Sequence, residues 1–132
     1  MPTKIDIRDL RKSFPSEKGP LTVIENVSLS VDDGEFVAIV GPSGCGKSTL
    51  LNLMAGFIRP DVGSISIDGQ VRSKPSSKGI LISQQGSVFP WLTVRENLAF
   101  GLNGHAQSEQ ARIADHYAGL VGLQGLDRKS VV

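Results

Sequence analysis

Apolar and polar residues alternate in part from Ile5 to Ser13, as in a strand with one wet face. The same two-residue period returns at Val27, Leu29 and Val31, spaced by Ser28 and Ser30, and again over Ser64-Ile65-Ser66-Ile67. Two runs break the alternation. Phe36 to Val40 is unbroken and apolar, and Ile80-Leu81-Ile82 is a shorter run of the same kind. Both predict strands buried on two faces, as in a parallel sheet. A helical spacing follows at Leu50, Leu51, Leu53 and Met54 and should end near Gly56. Thr93-Val94-Arg95-Glu96 matches a capping box and predicts a helix to about Gly101. A last helix is expected from a Ser108 cap, with Ile113, Tyr117, Leu120 and Val121 on one face and Gly122 ending it.

Turn chemistry separates these elements. Two prolines and a glycine mark residues 14–20 as a loop, Asp32-Asp33-Gly34-Glu35 and Asp61-Val62-Gly63 as turns, and Asp68-Gly69 as a hairpin turn. Residues 71–78 are polar, carry a proline and read as a surface loop. The pattern predicts an antiparallel β portion, from the N-terminus and residues 64–67, beside an α/β core. Composition adds limits. The 132 residues suffice for one modest domain, and a net charge of +1 argues against broad binding to nucleic acid or anionic lipid. No apolar run approaches the roughly 18 residues of a membrane helix. The charged start, MPTKIDIRDL, lacks a secretion signal's apolar core, so a cytoplasmic location is expected. One cysteine, Cys45, cannot form an internal disulfide.

The chemistry concentrates between the first apolar run and the first helix. Gly41-Pro42-Ser43-Gly44-Cys45-Gly46-Lys47-Ser48-Thr49 contains a complete G-x-x-x-x-G-K-[ST] phosphate-binding loop. A triphosphate binds where backbone N–H groups converge on a helix N-terminus. Gly41, Gly44 and Gly46 keep that backbone accessible, Lys47 adds a full charge, and Ser48 offers a hydroxyl to Mg²⁺. Thr49 supports the helix start, and Cys45 reads as a small residue at a variable position. Elsewhere, Asp68 reads as a turn aspartate rather than a metal ligand. His105 and His116 lack a partner cluster.

Residues 80–102 narrow the possibilities. A short apolar run reaches Gln84, a loop leads to Pro90-Trp91, and Thr93-Val94-Arg95-Glu96-Asn97 comes next. This strongly resembles the Q-loop region of ATP-binding-cassette ATPases, and Pro90-Trp91 looks most like importers of nitrate, sulfonates or taurine. Val23 to Val31 resembles the family's strand before the phosphate loop, and Pro60 to Ile65 its P-x-x-G-x-I turn. The resemblance implies a P-loop NTPase (RecA-like) α/β core with an antiparallel β subdomain. It places Gln84, with Gln85 as the alternative, where it would contact Mg²⁺ and the attacking water. Gln84 could equally be a polar residue at a strand end. Phe14 falls where the family stacks an aromatic ring on adenine, and could equally close a β turn. Trp91 is either a core filler or part of a contact with the membrane subunit.

The resemblance further implies ATP and Mg²⁺ as ligands, a homodimer of ATPase subunits and a transmembrane permease. It also implies an indirect tie to a solute-binding protein and a place on the inner face of the cell membrane. It runs from about Ile5 to Arg128 and stops short of two family features. No four apolar residues precede an Asp-Glu pair, and no Ser-Gly-Gly occurs. Residues 1–132 are therefore expected to be the N-terminal part of one nucleotide-binding domain, truncated before the signature and Walker B regions and not hydrolytic alone. The rival readings are a non-catalytic ATP-binding fragment and another P-loop enzyme such as a kinase.

Overall fold

The computed structural model describes residues 2–84, 86–123 and 125. They divide into two compact units, residues 1–81 and 82–132. The first unit is built on β1 (Thr3–Phe14), β2 (Leu21–Asp32), β3 (Val62–Ile67) and β4 (Gln70–Val71). These form one antiparallel sheet in the order β2-β1-β3-β4. The alternation sets the register. Ile5 and Ile7 of β1 face Val31 and Leu29 on one side and Ile67 and Ile65 on the other. One apolar face results, and α1 (Lys47–Ala55) covers it. Ile7, Leu10, Ile24, Leu50, Leu53 and Ile65 form the buried core, with Leu10 wholly inaccessible.

Three details hold this layer together. β1 bulges at Asp9, whose φ is 46° and whose N–H donates to Ser28 Oγ at 2.9 Å. Gly63 fits beside that bulge only without a side chain, because a β-carbon would clash with the carbonyl oxygens of Arg8 and Asp9. Asp61 ties β3 to β1. Its carboxylate accepts from Lys12 Nζ and from Ser13 N, each at 2.7 Å, and these contacts hold the carboxyl below the usual carboxylate range. The β3–β4 turn is the expected Asp68-Gly69 pair, with φ of 51° and 71°. Asp68 is a turn residue paired with Lys4 at 2.8 Å.

The second unit holds α2 (Val94–Ala99) and α3 (Gln107–Leu120), which pack together. The capping box forms as predicted: Thr93 Oγ1 accepts from Glu96 N at 3.2 Å and Thr93 N donates to the Glu96 carboxylate at 2.7 Å. Arg95 bridges to Asp115 at 2.6 Å, linking α2 to α3.

Three expectations are corrected. Phe36–Val40 and Ile80–Ile82 are not strands, and Phe36, Val40, Ile80 and Ile82 are 92, 88, 87 and 90% exposed. A buried parallel strand needs pairing on both edges and cover on both faces, and the described residues supply neither. α3 starts before Ser108, with Ala106 as N-cap, because Gln110 Nε2 donates to the Leu102 and His105 carbonyls and fixes the preceding turn. Its buried residues are Ala114 and Ala118, while Tyr117, Leu120 and Val121 are exposed.

Candidate functional site

The phosphate loop sits between exposed residues 36–40 and α1. Pro42 O accepts from Cys45 N at 3.4 Å, which closes the turn, and Gly46 O accepts from Leu50 N at 2.9 Å, which begins the helix. Gly46 is the N-cap, with φ of 100°. A β-carbon there would lie 2.9 Å from Val23 O and 3.1 Å from Ile24 Cδ1. Glycine is required twice at this position, for its backbone angle and for the close approach to β2. That approach fixes the helix start against the sheet, while Leu50 and Leu53 anchor the rest of α1 in the core.

The α1 N-terminus has no side-chain cap and no acidic residue in its first turn. A helix start leaves several N–H groups without intrahelical partners and concentrates positive potential there. Serine or aspartate would ordinarily fill that role at a cap. Here the side chain that returns to the loop is cationic: Lys47 Nζ donates to the Gly41 and Pro42 carbonyls, each at 2.7 Å, and lies 3.5 Å from Cys45 Sγ. The ammonium is thus held over the loop with no carboxylate neutralising it through these contacts. Ser48 is exposed and Thr49 half-buried. An anion with several oxygens fits such a site, and Ser48 Oγ is a suitable oxygen donor for a hard cation accompanying it.

Phe14 ends β1, paired with Leu21. The adjacent pairs, Ser13 with Thr22 and Lys12 with Ile24, bracket the Val23–Ile24 segment on which Gly46 rests. Phe14 therefore belongs to the same end of the β1–β2 pair as the loop. Its ring is half-buried and carries Lys12 Nζ at 5.4 Å from its centroid.

Gln84 is exposed in a bend of the second unit, and Gln85 lies outside the described residues. Gln84 and the phosphate loop thus belong to separate compact units. Asn97 pins the segment around Pro90, where Leu92 N also donates to Phe89 O at 3.1 Å. Asn97 Nδ2 donates to the carbonyls of Phe89, Leu92 and Thr93 at 3.0, 3.2 and 3.0 Å, and Asn97 Oδ1 accepts from Phe89 N at 2.8 Å. One amide therefore satisfies four backbone groups. Phe89 stacks near Trp91 and Phe100, with ring centroids 5.4 and 4.3 Å apart, while Trp91 stays 75% exposed. Trp91 is therefore not a core filler. The sequence did not reveal the anchoring roles of Asn97 and Asp61, although both stand in motifs noted above. His105 pairs with Glu109 at 3.2 Å, His116 packs edge-on against Tyr117, and no acidic, histidine or cysteine cluster able to hold a metal occurs among the described residues.

Comparisons with known proteins converge on one family. A family profile described as ABC transporter matches residues 24–131. The chain is 42% identical over 122 residues to the nitrate import ATP-binding protein NrtD of Synechococcus elongatus, covering 89% of this chain and 44% of that protein. It is 39% identical to the bicarbonate transport ATP-binding protein CmpD of Synechocystis, covering 95% and 46%, and 37% identical to the taurine import ATP-binding protein TauB of Roseobacter denitrificans, covering 98% and 49%. The chain thus spans about half the length of the curated relatives it matches. Two solved structures of the ATP-binding cassette MJ0796 share the fold. The post-hydrolysis dimer with ADP and phosphate gives a TM-score of 0.81 at 24% identity, and a second dimeric structure gives 0.80 at 25%. Each covers 96% of this chain and 61% of the cassette.

Proposed function

Since the chain belongs to the ABC transporter family, we propose that it carries the ATP-cradling part of a transport ATPase subunit. The observation that carries this reading is the uncapped α1 N-terminus, with Gly46 where a β-carbon would intrude and Lys47 folded over the loop. In this reading Gly41, Pro42, Ser43, Gly44, Cys45 and Gly46 wrap the phosphates, and the amides at the start of α1 donate to the outer phosphate oxygens. Lys47 exchanges its carbonyl contacts for those oxygens. Ser48 holds Mg²⁺, which supplies charge neutralisation on the phosphates, and Thr49 supports the helix start. Phe14 offers one ring face to adenine while Lys12 lies over the ring. Gln84 is the residue proposed to reach the metal and orient water.

The proposed setting is an importer of a small anion such as nitrate, sulfonate or taurine. Nitrate, bicarbonate and taurine appear in the relatives' names, which supports this class. The proposed partners are a second ATPase subunit and a transmembrane permease, with a solute-binding protein acting through the permease. The proposed place is the inner face of the cell membrane, and no helix among the described residues is long and apolar enough to cross it. Residues 1–132 form the N-terminal portion of one nucleotide-binding domain in this account.

Hydrolysis needs a carboxylate for Mg²⁺ and a group to activate water. No apolar run in these 132 residues ends in Asp-Glu, so the chain alone should bind Mg-ATP and not turn it over. Displacement of a fluorescent ATP analogue by ATP, together with phosphate release over hours, tests both halves. Saturable displacement with no release is expected. Phosphate release abolished by Lys47→Ala would contradict the non-hydrolytic half, and phosphate transfer to a small acceptor would favour a kinase.

A further inference from the structure

The 67–78 segment holds a second cationic feature, separate in sequence from the phosphate loop. A cavity of about 170 Å³ opens there, and Gln70, Arg72, Ser73, Lys74, Ser76 and Lys78 contribute to its lining. Three of these residues are cationic, and the lining includes no carboxylate. Asp68, the nearby acid, pairs with Lys4 at 2.8 Å and also attracts Lys78 and Arg72 from outside the lining. Lys78 Nζ donates to Gln70 Oε1 at 3.3 Å, and one Arg72 terminal nitrogen, Nη1, donates to Ser76 Oγ.

Arg72 is the unusual member. Its Nε and Nη2 are buried and have no hydrogen-bond partner among the described residues. A guanidinium presents its donors in a planar fork matched to oxyanions, and buried donors without acceptors are strongly disfavoured. Its backbone is fixed, because Arg72 N donates to Ile65 O at 2.7 Å. The side chain is therefore held at the sheet edge with unmet donors, under a short polar loop rich in hydroxyls. The cavity is smaller than the roughly 300 Å³ at which organic-ligand pockets begin, so a nucleotide does not fit.

We propose that this cavity binds a small inorganic oxyanion of the sulfate or phosphate type. Lys74 and Lys78 would provide charged donors, Ser73 and Ser76 hydroxyl donors, and the enclosed Arg72 guanidinium a fixed positive charge behind them. The site is independent of the nucleotide reading.

The test is a titration of the full 132-residue chain with sodium sulfate, against sodium chloride at matched ionic strength, following the Arg72 side-chain N–H signals by NMR. A saturable shift with sulfate only is expected, unchanged in the Lys47→Ala variant and weakened about tenfold by Lys78→Gln. Lys78 is exposed, so this variant keeps the fold, whereas Arg72→Gln would alter a buried group. Three results would overturn the proposal: a shift that never saturates, a shift equal in chloride, or saturation that disappears with Lys47→Ala. The last would place the anion in the phosphate loop instead.

Discussion

At the scale of single residues, the candidate site depends on two positions with different physical duties. Lys47 supplies charge. Its Nζ is carried by two carbonyls that a phosphate can replace, so Lys47→Ala should weaken Mg-ATP binding by about tenfold or more while moving stability by less than about 1 kcal/mol. Calorimetric titration and urea unfolding measure the two separately. Gly46 supplies space and backbone angle. Gly46→Ala combines a φ of 100° with a contact 2.9 Å from Val23 O, and should destabilise the fold by about 1–3 kcal/mol. It should impair nucleotide binding through the displaced helix start. A stable Gly46→Ala protein with native affinity would show that the loop does not need its contact with β2. Lys47 and Gly46 were both legible in the sequence as motif members. What the motif did not reveal was why the second glycine is required, since Val23 and Ile24 are brought to it only by the sheet. Asp61 and Asn97 stayed unread for the same reason: their partners are backbone groups that converge only on folding.

At the scale of elements, local signals were reliable where the cause is local. The Thr93–Glu96 box and the Asp68-Gly69 turn need only neighbouring residues, and both form as expected. Thr93→Ala should cost the second unit about 1 kcal/mol. Amide exchange in α2 would show it, with protection lost there and retained in β1. Leu53 belongs to the opposite case, an element held by distant partners. Leu53→Ala should destabilise the first unit by about 2–5 kcal/mol, as measured by urea unfolding. Hydrophobicity alone marks the apolar runs at 36–40 and 80–82 as buried strands. Their exposure shows that such a run specifies a strand only when neighbouring strands are present to accept its hydrogen bonds. α3 failed differently. Apolar size predicted the Ile113–Tyr117–Leu120 face, but the buried positions are Ala114 and Ala118, while Tyr117 and Leu120 are exposed.

At the scale of the whole molecule, acid sensitivity follows from three carboxylates. The Lys12 contact, then Ser13, lowers the Asp61 pKa; Lys4 lowers that of Asp68; Thr93 lowers that of Glu96, first through its backbone and then its side chain. A carboxyl with a lower pKa when folded stabilises the fold above its unfolded pKa, and loses that contribution as pH falls through the folded value. Stability should therefore be flat near neutrality and decline from the ordinary carboxylate range, about pH 4, downward. Asp61→Asn should lower the neutral plateau and flatten that decline, as followed by thermal unfolding across pH. An acid limb unchanged by Asp61→Asn would remove that residue from the explanation.

The central claim is that the uncapped start of α1 is an ATP phosphate site, and the most direct measurement is backbone amide NMR of the chain titrated with Mg-ATP. Saturable shifts are expected at Gly44, Gly46, Lys47, Ser48 and Thr49, lost or greatly weakened in Lys47→Ala. Saturable shifts elsewhere with these amides unmoved, or equal affinity in wild type and Lys47→Ala, would contradict it.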